Sequence, residues 1–479
     1  MELLQRNSLR ISPRINLIIY VFLISVLLSA NFFVSGPVFE GYLFTESLNN
    51  LGFQDSTWGL IGRPLSVIPH SLIWYFFDGS HFGYFVISSL LMLFRGATIF
   101  LLAKELKKNV WFLSLAAMLV PMWGGIFNER FMGAQFSLNF GLLAICLYIK
   151  NCQKLSIFMM LLATFTYPPI VLSLPLSILI TKVQSLNVKS IRLSSLFSHS
   201  KLFIPLALYV GWLSIIRFFG NESYDTMVSG KPHLRFALQN LFETLFVDNT
   251  VKSILILILP IVLAKTMLPN LNIFTAVTTT SLILLATAPY VRVAIHLNDP
   301  ERVFFPISAT VLFIFILHFS SLASKRKSAS MKKNSSFVYL IAGTFFLASS
   351  LHYWIPVQQN NRHFLAELNR QISANEDAKS LLIRDDTGYL GDVNTFFGDA
   401  KLEDILTGGN SLLAAIRLNR PSFESASICT PSGVKRRHPV AANFPIPTTQ
   451  NCKETKGSAD LVLVLTSLNP VRLNPYVLE

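Results

Sequence analysis

Few residues in this 479-residue chain are of types that do chemistry, and most of them flank long apolar stretches. Glu40, in Pro37-Val38-Phe39-Glu40-Gly41-Tyr42, stands six residues beyond the apolar stretch 15–34. A carboxylate held there, partly out of water, can accept the proton of a sugar or lipid hydroxyl during attack, although the position equally suits a solvated loop acid. Glu129, in Asn128-Glu129-Arg130-Phe131, is a second acid at the same kind of edge and serves as the reserve base. Arg63 is fixed by its neighbours in Gly62-Arg63-Pro64-Leu65, and its guanidinium can grip a phosphate with two parallel hydrogen bonds or snorkel to lipid headgroups. Arg130, Arg292 and Arg302 can bring positive charge to the same phosphate or pair with the acids beside them, as Arg302 can in Asp299-Pro300-Glu301-Arg302. Tyr167 precedes Pro168-Pro169 inside an apolar stretch, where a broken helix needs protein or a watery cavity to satisfy its freed backbone groups. Arg95 lies near the middle of another stretch, where an ionisable group faces a cavity or a partner. There is no GxxxxGK[ST] loop and no Cys/His spacing typical of metal sites, so neither a nucleotide, a metal nor another cofactor is expected.

The elements that must position these groups follow from composition. The chain is 52% apolar and 14% charged, against about 25% charged in an ordinary soluble protein, which points to a polytopic membrane protein. Forty Lys and Arg against 26 Asp and Glu give +14. Apolar stretches long enough to span a bilayer read at 15–34, 82–103, 110–127, 133–149, 155–182, 202–219, 252–268, 272–290, 303–323 and 337–356. Arg6, Arg10 and Arg14 precede the first, so the N-terminus is read as cytoplasmic and the first stretch as a retained anchor. A single crossing at 155–182 would put Lys325-Arg326-Lys327, Lys332 and Lys333 outside, against the positive-inside rule. If the break at Tyr167-Pro168-Pro169 divides that stretch into two short crossings, the total becomes about eleven. The cytoplasmic loops then hold 18 basic residues against two acids, and the outer loops six against eleven.

This topology makes residues 1–356 a multi-span membrane domain whose first loop, 35–81, is extracytoplasmic. Residues 357–479 form a small C-terminal α/β extracytoplasmic domain with 13 basic and 13 acidic residues. In that tail, 381–388 reads as a strand running into a turn and 460–466 as a second strand, with helical spacing at 402–406 and 411–418 between them. Cys429 and Cys452 lie in the oxidising compartment, where a disulfide can form, whereas Cys146 and Cys152 face the reducing side.

The first loop with its acids and Gly62-Arg63-Pro64-Leu65, the Pro-broken stretch after Ala163-Thr164-Phe165-Thr166-Tyr167, the late-span arginines and the outer tail together resemble the bacterial GT-C membrane glycosyltransferases, particularly those that modify O-antigen. The family carries an acidic pair, often Asp-Asp, soon after the first span and a Gly-Arg-Pro segment before the second. Here a single Glu40 stands in place of the pair. The resemblance implies an inner-membrane enzyme that moves a sugar from a polyprenyl-phosphate donor to a surface glycan or lipid acceptor on the outer face, with inversion. Glu40 or Glu129 would be the base, and Arg63, Arg130, Tyr167, Arg292 and Arg302 would line the substrate. A lipid-linked sugar flippase, an O-antigen polymerase and a non-catalytic envelope assembly protein are the other functions the pattern admits. Nucleic acid is not an expected partner, because the basic excess is accounted for by the cytoplasmic loops.

Overall fold

The computed structural model describes residues 13–36, 45–46, 48–49, 62–105, 132–185, 200–219, 273–286, 300–321, 355, 358–360, 362–387, 409–430, 450–452, 459–468 and 471–475. These residues form a mostly helical assembly and one small sheet. The helices are α1 (Pro13–Val34), α2 (Ile68–Phe77), α3 (His81–Glu105), α4 (Met132–Ile149), α5 (Gln153–Thr166), α6 (Ser173–Ser185), α7 (Ile204–Phe218), α8 (Ile273–Leu285), α9 (Pro300–Ser321), α10 (362–374) and α11 (Gly409–Arg417). Three helical stretches among the described residues, His81–Leu102, Met132–Ile149 and Ser200–Phe218, are long and apolar enough to cross a membrane, and four shorter apolar helices accompany them. That composition is compatible with a membrane protein. The expected spans at 110–127 and 252–268 lie outside the described residues, as does the one at 337–356 except for Ile355.

Apolar surface alone does not hold helices together in lipid, so small and polar side chains must tie them. Asn31 of α1 donates to the hydroxyls of Ser88 and Ser89 on α3, 2.8 Å each. Asn139 of α4 donates to the Leu91 carbonyl of α3 at 3.1 Å. Ser137 of α4 donates to the Ala163 carbonyl at 2.7 Å, and Ser156 of α5 to the Ala144 carbonyl at 2.7 Å. These two bonds pair the start of α4 with the end of α5, so the two helices run antiparallel.

The break expected at Tyr167 is present. Tyr167 is extended, Pro168–Leu172 form a 3₁₀ turn, and α6 begins at Ser173. Ser173 bonds to the Pro306 carbonyl of α9 and Ser177 to the Thr310 carbonyl, so α6 and α9 run in the same direction. Because Tyr167 also packs edge-on against Phe305, five residues into α9, both helices leave the Tyr167 level together. The chain thus arrives at Tyr167 along α5 and turns back along α6. These helices have 14 and 13 residues, about 20 Å each at 1.5 Å per residue, which is short for a hydrocarbon core of about 30 Å. Gly141 makes close packing feasible here, since a Cβ would stand 2.8 Å from Phe313 and 3.0 Å from Ile170.

The tail has more strand than the sequence signals. Its sheet runs β3-β2-β1-β4-β5, comprising β1 (Ser380–Asp385), β2 (Ser425–Thr430), β3 (Gln450–Asn451), β4 (Leu461–Leu468) and β5 (Val471–Pro475). All pairs are parallel except β4 with β5. The strands expected at 381–388 and 460–466 are therefore neighbours, while β2, β3 and β5 lacked a strong apolar run. The expected helix at 411–418 is α11, and the one at 402–406 lies outside the described residues. Phe364, Leu368 and Ile372 recur every four residues along α10 and are buried. Cys429 and Cys452 form a disulfide that fixes β2 to the end of β3.

Candidate functional site

The described part of the candidate site is the level at which the first loop meets the broken helix. Gly62 to Val67 form a tight turn in which the Ser66 N–H reaches the Arg63 carbonyl at 2.9 Å. The next residue but one after Arg63 docks this turn, since the Leu65 N–H donates to the Phe165 carbonyl at 3.3 Å. Arg63, which is half-buried, is thereby brought to the same end of α5 as Tyr167. Tyr167 is buried, and Phe305 meets its ring edge-on with centroids 5.3 Å apart. Arg302 lies one helical turn before Phe305 on α9. Pro306, four residues after Arg302, has no N–H to offer the Arg302 carbonyl, so α9 is weakened just where it approaches this level. Three residues singled out from sequence, Arg63, Tyr167 and Arg302, are thus carried by backbone that converges on one end of the α5/α6 break. Glu40, Glu129, Arg130 and Arg292 lie outside the described residues.

Two other acids of the first loop have structural roles. Asp78 adopts a left-handed conformation, φ 51°, at the C-terminus of α2, and its N–H closes the last turn on the Trp74 carbonyl at 3.0 Å. Glu46 accepts from Arg417 of α11 at 3.0 Å, with the carboxylate 16% and the guanidinium 33% exposed. That ion pair joins the first loop to the tail. It also engages the Glu46 carboxylate, leaving Glu40, Asp55 and Asp78 as the other acids of that loop.

Arg95 is fully buried in α3, and its Nη1 points to Gln135 Oε1 of α4 at 3.5 Å. The polar partner expected for a mid-helix arginine is therefore Gln135, with Asn139 one turn further along α4. Gln135 and Asn139 stood inside a stretch read simply as a span. Their signal was present as polar residues four apart on one helix face, where apolar side chains are the rule. Elsewhere, Asp385 accepts from the Thr387 N–H and hydroxyl at 3.0 and 2.6 Å, and Asp386 pairs with Arg384 at 2.6 Å. Those contacts make Asp385-Asp386-Thr387 a strand-end turn.

Comparison of the chain with protein-family models, with curated proteins and with solved structures finds no match.

Proposed function

We propose that the chain is a GT-C-like glycosyltransferase that moves a sugar from a polyprenyl-phosphate donor to a surface glycan or lipid on the extracytoplasmic face of a bacterial inner membrane. The observation that supports this most directly is the docking of the Arg63 turn on the end of α5 that leads into Tyr167, whose ring meets Phe305, one helical turn after Arg302. Arg63 at the Tyr167 end of α5, with the backbone of Arg302 approaching the same end, suits the phosphate of a lipid carrier, because charge grows on that phosphate as the sugar departs and guanidinium groups can stabilise it. In this reaction the Glu40 carboxylate takes the proton of the acceptor hydroxyl. The hydroxyl oxygen then attacks the anomeric carbon from the face opposite the phosphate, and the carbon–oxygen bond to phosphate breaks with inversion. Glu129 is the reserve base. Arg130 and Arg292 are the other proposed contacts to the carrier.

The test compares surface polysaccharide in cells with the wild-type gene, a deletion, Glu40→Gln and Glu129→Gln. Removing a general base lowers transfer by about 10²–10⁴-fold. Glu40→Gln is expected to match the deletion, and Glu129→Gln to match wild type. A deletion that leaves every surface glycan unchanged overturns the transferase, whereas an active Glu40→Gln beside a dead Glu129→Gln moves only the base. The helix break at Tyr167 also favours a second reading, a lipid-linked sugar flippase, since transporters build sites from discontinuous helices. Accumulation of the intact lipid-linked sugar on the cytoplasmic leaflet of the deletion strain would select that alternative.

A further inference from the structure

We propose that the C-terminal domain positions the first loop for the reaction, with Arg362 and Arg417 as positioning residues that hold the two ends of the stretch bearing Glu40. The proposal rests on the transferase reading and gives the tail a task that the chemistry of the site does not otherwise assign to it.

Before that stretch, the Ser35 carbonyl lies one residue past the end of α1, where no N–H of the helix is left for it. Arg362 Nη2 donates to it at 3.1 Å, and a cation at a helix C-terminus is also favoured by the helix dipole. Gly36 comes next. A Cβ there would stand 2.2 Å from His81 Nδ1 and 3.4 Å from Gln358 Oε1, so the imidazole at the start of α3 fills the space and Gln358 closes on it from the chain leading into the tail. Ser35, Gly36 and Gln358 are all buried.

After the stretch, Glu46 accepts from Arg417 Nη1 at 3.0 Å. The guanidinium is already oriented, because its Nε donates to the Phe423 carbonyl at 2.8 Å and its Nη2 to the Glu424 carbonyl at 3.3 Å. A planar fork with two nitrogens fixed within the tail presents the third in a set direction. Thr45 is buried beside this pair and packs on Gly79, whose Cβ would come within 2.7 Å of the Thr45 methyl group.

Both arginines belong to one packed unit. Phe364 and Leu368 of α10 enter the same buried core as Leu412 and Ile416 of α11, and Arg420, just past α11, donates to the Ile372 carbonyl of α10 at 2.9 Å. Whatever path residues 37–44 take, the tail therefore sets where that path begins and ends. A general base acts only within hydrogen-bond reach of the proton it takes, and a displacement of about 1 Å can lower the rate about 10²-fold. Two arginines from outside the loop supply that control.

The experiment compares full-length wild type with Glu46→Arg, Arg362→Met and Glu46→Gln. It reads hydrogen exchange at 37–49 and steady-state transfer from a polyprenyl-phosphate sugar. Glu46→Arg and Arg362→Met are expected to exchange faster there and to lower kcat by about 10–100-fold. The donor KM is expected to stay unchanged, because the Arg63 turn docks on α5 without the tail. Glu46→Gln still offers Arg417 an acceptor oxygen and is expected to keep most of the wild-type rate. Thermal melting of each variant separates a misplaced loop from an unfolded protein, and Glu46→Ala replaces the charge reversal if that variant does not fold. Wild-type exchange at 37–49 in the folded disruptive variants, or a wild-type kcat in both, would overturn the proposal. A wild type that transfers no sugar would sink the transferase reading, and exchange at 37–49 would still decide whether the tail holds the loop.

Discussion

His70 is buried in α2 of the first loop, with the Tyr84 ring edge-on at 6.2 Å between centroids. Burial pushes its pKa from the ordinary 6.5 down to about 3. A folded pKa below the unfolded one means that the unfolded chain binds the proton more tightly. The contribution of His70 to stability is therefore complete above pH 6.5 and lost progressively as the pH falls from 6.5 toward about 3, by at most about 1.4 kcal/mol per pH unit. Melting curves of the detergent-solubilised protein are expected to drop across that window, and His70→Phe to flatten the drop. An unchanged pH dependence in His70→Phe would place the sensitivity elsewhere. Residue roles were only partly legible in the sequence. Arg63 and Tyr167 could be singled out because one sits between Gly and Pro and the other precedes two prolines. The role of Glu46 was hidden, since its partner Arg417 lies 371 positions away.

At the scale of elements, the Tyr167 break was readable because proline cannot continue a helix, whereas the three weaker strands of the tail were not. β3 has two residues and β5 exposes most of its side chains, so neither carries the apolar alternation that reveals a strand. The tail is held instead by tertiary ties. Asp460 accepts from the N–H groups of Lys379 and Ser380, 3.0 Å each, and from the Ser380 hydroxyl at 2.8 Å, which lowers its pKa and joins the starts of β1 and β4. The Cys429–Cys452 bridge closes a separation of 23 residues. Its loss in Cys452→Ser is expected to destabilise the tail by about 3 kcal/mol, read as earlier protease cleavage within 357–479 while the membrane helices stay intact. Equal protease resistance with and without the bridge would show that the sheet holds unaided. Within the helices, Gly141→Val is expected to push Phe313 and Ile170 away and to lower the melting temperature of the whole protein, at a cost of about 1–3 kcal/mol. A melting temperature unchanged by the valine would mean that α9 is not packed against α4 at this point.

For the whole molecule, the charge sorting and the contacts constrain one another. The first loop and the tail touch through Glu46 and Arg417, a contact that an eleven-crossing topology would require to lie on one side of the membrane. Two short crossings at 155–182 would keep the basic loops on one face. A reporter fused after Lys333 is therefore expected in the cytoplasm and one fused after Gln358 outside it. The reverse pair of results would mean that 155–182 crosses once. Composition pointed to a membrane protein, with which the apolar helices are compatible, but the arrangement of the helices rests on buried Asn, Ser and Gly contacts too scattered to read as a pattern. The most direct measurement of function is conversion by the purified protein, supplied with a polyprenyl-phosphate sugar and a surface-glycan acceptor. Transfer predicts that glycosylated acceptor and free polyprenyl phosphate appear in equal amounts, and that both are lost in Glu40→Gln. A donor that the folded protein moves between leaflets with its sugar still attached would contradict it.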